Sequence, residues 1–130
     1  MRFEFMLPYQ IKEEITKNTP VVLPIGVMEY HGEHMAVGMD TLAVTKILDR
    51  LENQMEVVIL PPFSYGAASY AVAAPEGTGS LHVDAAVLAP LAEQIFTGLL
   101  NKNFSVSCLP IMEKPFGLLR SEATLAKNLL

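Results

Sequence analysis

The order of patterns along the chain predicts an α/β fold, a parallel-sheet core with helices on both faces. Three observations predict it. VVLPIGVM (21–28) and MEVVILPPF (55–63) are continuous apolar runs, the mark of strands buried on both faces. Each run is followed by a loop and then by a segment of helical character, the strand–loop–helix order of parallel sheets. Ligands of such sheets bind outside the carboxyl ends of the strands, so two loops that each leave a strand there share one rim.

The elements follow in order. After the first run comes a polar loop, and Asp40 and Thr41 then introduce a helix. Val44, Ile47, Leu48 and Leu51 keep an i, i+3, i+4, i+7 pattern among charged Lys46, Asp49, Arg50 and Glu52. The second strand stops at Pro61-Pro62. SYGAASYAVAAPEGTGSLH (64–82) is rich in Gly, Ala and Ser and has no period, as a functional loop would. Asp84 is placed to cap a second helix through about Leu100, with Val87, Leu88, Leu91, Ile95 and Leu99 on one face. Pro90 within it marks a kink or the true first turn. Residues 105–130 offer one doubtful strand, a turn at Lys114-Pro115-Phe116-Gly117 and a short helix.

Composition narrows the function classes. The chain has 130 residues, the size of one domain, with 51% hydrophobic and 18% charged residues, so it is built to fold and has apolar surface to cover. A net charge of −5 provides no basic stripe for phosphates, which argues against a nucleic-acid partner. No apolar run is long enough for a bilayer or a signal peptide, so no membrane partner is expected. Cys108 is the single cysteine, which rules out an internal disulfide and suits a reducing, cytoplasmic setting; it reads as a buried thiol.

The chemistry concentrates in PIGVMEYHGEHMAVGMDT (24–41). Glu29, His31, Glu33, His34 and Asp40 gather here, while the third histidine is His82. Glu29 and His31 stand two apart, so an extended backbone aims both to one side, and Asp40 can join as a third ligand of a transition metal. A bridging aspartate would place two metals about 3.5–4 Å apart, the spacing that activates a water for hydrolysis. The plainer reading stays open: Asp40 as a helix N-cap, Glu29 and His31 as a solvated pair, and His34 as a buried histidine with one hydrogen bond. In the second loop, PEGTGSLHVD lacks the lysine and glycine spacing of a phosphate cradle, leaving a substrate-shaping loop or a tight turn at Gly77 and Gly79.

The first cluster resembles the signature of the creatininase (creatinine amidohydrolase) family, approximately P-x-G-S-x-E-Q-H-G-P-H-L-P-x-x-T-D. The second loop is similar to that family's G-x-S…P-G-T segment, here GAAS (66–69) and PEGTGSL (75–81). The resemblance covers about residues 20–104. It implies a parallel-sheet α/β fold and a centre of two zinc or manganese ions that opens a cyclic amide or related C–N bond. By position, Glu29 would bind one metal, His31 the other, and Asp40 would bridge them. His34 would support the site without ligating, and Ser69, Gly77 and Thr78 would belong to the substrate loop. The metals would acidify a shared water and polarise the carbonyl of a small-molecule substrate. The resemblance further implies a homo-oligomer, a hexamer in the family.

The pattern departs in places. Val27 and Tyr30 stand where serine and glutamine are commoner, and Ala36-Val37 replaces a proline-containing stretch. After Asn103-Phe104, where the family has a Gly-Phe-like step, the expected histidine and acid are missing: no histidine follows His82, and Glu113 is the only acid near the place. The expectation is therefore an N-terminal part of a creatininase-like domain over 1–104, apparently truncated, with a divergent tail over 105–130. Three functions are open: a metal-dependent amidohydrolase, a non-catalytic fragment or assembly subunit of one, or a small-molecule-binding α/β module.

Overall fold

The structure, a computed structural model, describes residues 1–69 and 79–104. Its order is a short 3-10 turn (Phe3–Phe5), α1 (Pro8–Thr16), β1 (Val21–Val22), α2 (Met39–Leu51), β2 (Val58–Ile59) and α3 (Ala85–Leu100). β1 and β2 are parallel, with Val21 opposite Val58 and Val22 opposite Ile59.

The ladder is longer than its regular core. Val58 N–H donates to Pro20 O at 3.0 Å and Leu60 N–H to Val22 O at 2.9 Å. It then thins at Pro24 and Pro61-Pro62, which have no N–H to donate. Pairing resumes with Phe63 N–H to Pro24 O and Gly26 N–H to Phe63 O, around an Ile25–Phe63 bridge. The two long strands expected from sequence are thus short strands with extended, proline-punctuated continuations. On the far side of β2, Ile59 N–H donates to Met1 O, and Arg2 forms a further parallel bridge to Ile59.

Helices cover both faces. Val21, Val58, Leu60, Leu99 and Phe104 form one buried cluster, joined by Ile11 and Ile15 of α1 and by Ile95 and Phe96 of α3. Val22, Val57, Ile59, Val44 and Leu48 form the other, closed by Leu51 of α2. Adjacent strand residues fall in opposite clusters because strand side chains alternate faces. This three-layer arrangement bears out the fold class.

The helices correct several details. The helix over Pro8–Thr16 has no counterpart in the expected elements. Pro8 sits in its first turn, where the missing N–H costs nothing. It ends at Asn18, φ 57°, with Asn18 N–H on Ile15 O and Thr19 N–H on Glu14 O, a Schellman closure. α3 starts where Asp84 was placed, its carboxylate accepting Ala86 N–H at 2.7 Å. Pro90 is therefore interior rather than at the first turn. Its apolar face is rotated from the expected one: Leu88, Ile95, Phe96 and Leu99 pack inward, whereas Val87 and Leu91 are exposed. In α2, Val44 and Leu48 are buried and Ile47 is exposed. Amphipathic period alone cannot fix which edge of a wide apolar stripe meets the sheet. Among the described residues, no helix is long and apolar enough to cross a membrane.

Candidate metal centre

Residues 27–38 leave the extended continuation of β1, and the stretch from Ser64 leaves that of β2. Both lie on the carboxyl rim of the sheet, as expected. There Glu29 Oε1 lies 3.7 Å from His31 Nε2, and Asp40 Oδ1 lies 3.2 Å from the same nitrogen. One donor atom from each residue falls within 4.8 Å of the other two.

Three local features bring them together. The first is Gly26. A Cβ there would stand 2.5 Å from Thr41 N and 2.7 Å from Thr41 Cα, so only glycine lets the first turn of α2 settle on the strand. The second is Gly32, whose φ of 98° turns the chain immediately after His31. The third is backbone pairing. Glu29 N–H donates to Val37 O at 3.0 Å, Leu81 N–H to Met28 O at 2.8 Å, and Tyr30 N–H to Ser80 Oγ at 3.0 Å.

Glu29 is buried, and its Oε2 accepts Ser69 N–H at 2.6 Å. Oε1 is left to face His31. Asp40 lies in the first turn of α2, but the N-cap position is Gly38 and no side chain caps the helix. The N-cap reading of Asp40 is therefore corrected. Its carboxylate, favoured by the partial positive charge of the helix start, turns to the histidine instead.

His31 Nε2 is buried and has no hydrogen-bond partner among the described residues, although a carboxylate oxygen stands 3.2 Å away. The oxygen lies off the direction in which the ring would donate a proton. A cation shared by nitrogen and oxygen would lie off the line joining them, so it meets this geometry where a hydrogen bond does not. An orphaned imidazole nitrogen, two carboxylate oxygens and a partly buried setting make a donor set for a zinc-like or manganese-like ion. The residues fit a divalent metal. The solvated-pair reading of Glu29 and His31 does not suit this burial.

The remaining site residues distribute differently. His34 is exposed, which corrects the buried-histidine alternative; its ring lies close over Gly32. Ser69 meets Glu29 through its backbone amide while the residue itself is exposed. His82 is exposed beside Gly66, to which it is bridged. Gly77, Thr78, Cys108, Glu113 and the whole 105–130 tail lie outside the described residues. Sequence reasoning missed the supports of the cluster, namely Val37 O, the Ser69 amide and Ser80 Oγ. Backbone groups leave no residue-type signal, and serine is common in loops.

Comparisons with known proteins bear on the family and the fold. The family model described as creatinine amidohydrolase matches residues 6–109, a longer span than the resemblance quoted above. A creatinine amidohydrolase of Pseudomonas putida is 33% identical over 49 residues, 38% of this chain and 19% of that protein. A 3-dehydro-scyllo-inosose hydrolase of Thermotoga maritima is 28% identical over 68 residues, 52% of this chain and 22% of that protein. A solved structure named "Creatininase Mn" superposes with a TM-score of 0.82 at 17% identity, over 98% of this chain and 52% of that one. The chain thus spans about a fifth of the curated relatives it matches and about half of the solved structure. A family match over most of its length, with the fold to accompany it, places this chain in the creatininase (creatinine amidohydrolase) family.

Proposed function

We propose that Glu29, His31 and Asp40 are ligands in the divalent-metal site of an amidohydrolase that opens a C–N bond in a small cyclic substrate. The observation that carries this reading is His31 Nε2, buried without a hydrogen-bond partner among the described residues and facing two carboxylates. By the family resemblance Glu29 would hold one ion, His31 the other, and Asp40 would be shared by both; manganese suits the relative named for it, and zinc suits the same donors. When bound, the ions supply the Lewis acidity that acidifies a water and polarises a carbonyl.

The chain's own residues supply orientation. The Ser69 amide fixes one oxygen of Glu29 and so directs the other toward His31. The first turn of α2 carries Asp40 and presents its carboxylate to His31. Ser69, with Gly77 and Thr78, shapes the substrate side, and His34 supports the loop from outside the ligand set. The two curated relatives are named for cyclic small molecules, which supports a compact ring as the substrate class. Exposed Val87, Leu91 and Leu100 on α3 suit burial against further copies, supporting a homo-oligomer.

A second reading, a non-catalytic subunit that keeps the half-site for assembly, is favoured by the ligand set itself. Among the described residues only these three donors converge. Elemental analysis of the purified protein, with a creatinine hydrolysis assay, decides. Close to two equivalents of zinc or manganese per chain with hydrolysis supports the enzyme. Absence of both in freshly purified, metal-supplemented protein overturns it in favour of the second reading.

A further inference from the structure

The Glu29–His31 segment lies beyond the regular strands, so among the described residues no regular ladder fixes its backbone. Loops from both sides fix it instead. Val37 O takes the Glu29 N–H on the side leading into α2. On the other side, Leu81 N–H reaches Met28 O, and Ser80 Oγ takes the Tyr30 N–H at 3.0 Å. Tyr30 sits between Glu29 and His31, so the orientation of its peptide sets the angle between their side chains. Ser80 thus does with a hydroxyl what a neighbouring strand would do with a carbonyl.

We propose that Ser80 is a positioning residue for the metal site: its hydroxyl, accepting the Tyr30 N–H, holds Glu29 and His31 at the separation that a divalent ion requires. Ser80, near the end of the second loop, then serves the metal ligands. This rests on the metal reading above. Hydrogen-bonding groups outside a ligand set commonly govern affinity by about 10–100-fold, because they preorganise the ligands.

The test uses the full chain, with Mn2+ as the titrant, in wild type, Ser80→Ala and Ser80→Thr. Three quantities are measured: the Mn2+ dissociation constant, the thermal midpoint of the metal-free protein, and hydrogen exchange at the Tyr30 amide of the metal-free protein. Ser80→Ala is expected to weaken Mn2+ binding about 10-fold or more. The Tyr30 amide should exchange faster, the metal-free midpoint should stay within a few degrees of wild type, and Ser80→Thr should restore both affinity and protection. Unchanged Mn2+ affinity in Ser80→Ala overturns the proposal. So does a loss that Ser80→Thr fails to restore and that tracks a lowered midpoint, since that marks a general packing role. Wild-type protein that binds no Mn2+ overturns the underlying metal reading instead. The Tyr30 exchange separates these failures: protection that depends on the Ser80 hydroxyl shows the loop clamp intact even where the metal reading fails.

Discussion

His31 Nε2 lies 3.2 Å from Asp40 Oδ1, bringing the loop after β1 onto the first turn of α2. A buried nitrogen and a carboxylate oxygen that close call for a proton or a cation between them, and Nε2 has no hydrogen-bond partner among the described residues. The contact is therefore the place where the structure most needs a ligand.

Glu29→Gln should fold normally and bind divalent metal poorly. The amide oxygen of glutamine can still accept the Ser69 N–H, and its NH2 can reach His31, so the buried groups stay satisfied. Loss of metal affinity should exceed the roughly 10–100-fold cost of removing an outer hydrogen bond. Glu29→Ala should lose metal too, but also about 1–3 kcal/mol of stability by stranding the Ser69 amide. Titration calorimetry with Mn2+ and denaturant unfolding of both variants check the contrast.

Gly26→Ala should damage fold and site together. The added methyl meets backbone atoms of Thr41 rather than a movable side chain. Overpacking of this kind costs about 1–3 kcal/mol, and relief requires α2 to retreat from the strand, taking Asp40 with it. Urea unfolding should show the destabilisation, and Mn2+ affinity should fall although no ligand has changed.

Leu48→Ala should cost about 2–5 kcal/mol, because Leu48 is 1% exposed and closes the α2 face of the sheet. Ile47→Ala should cost much less, since Ile47 is 51% exposed despite sharing the apolar pattern of α2. Equal losses in chemical denaturation would contradict the placement of that helix.

Acid stability should depend on Glu14. The Thr19 hydroxyl at 2.6 Å and the Lys17 ammonium at 2.9 Å hold its carboxyl below the ordinary value of 4.5, against the opposing effect of burial. A carboxyl with a lowered folded-state pKa stabilises above its unfolded value and loses that contribution as pH falls through the folded one. Thr19→Val should therefore cost about 1.5–3 kcal/mol at pH 7. The gap to wild type should narrow below pH 4.5, which unfolding curves across pH 3–7 would show.

Asn103→Gly should raise stability by about 0.5–1 kcal/mol, because Asn103 has φ 63° where α3 closes with Phe104 N–H on Leu99 O. A thermal midpoint lower than wild type would contradict this. The left-handed backbone at this step favours glycine.

Much of this was legible in the residues. The two apolar runs announced strands buried on both faces, and Asp84 announced the start of α3. The apolar stripes of α2 and α3 were seen, but not the edges that face the sheet, since Ile47, Val87 and Leu91 satisfy the period and still point outward. α1 escaped notice: nine residues with a single buried side chain, the charged Glu14, give little apolar signal.

For the site, the sequence by itself marked the candidates, because Glu29, His31 and Asp40 stand at a recognisable spacing in a charge-poor chain. Tertiary structure decided their relation. Whether Asp40 caps a helix or faces His31 depends on how closely α2 approaches the strand, and that depth is set by the missing side chain of Gly26 against Thr41. Likewise only the fold places the Ser69 amide on Glu29 and the Ser80 hydroxyl on Tyr30, across 40 and 50 residues of chain. Residue type encodes which groups can ligate; the packing of backbone on backbone fixes where they meet.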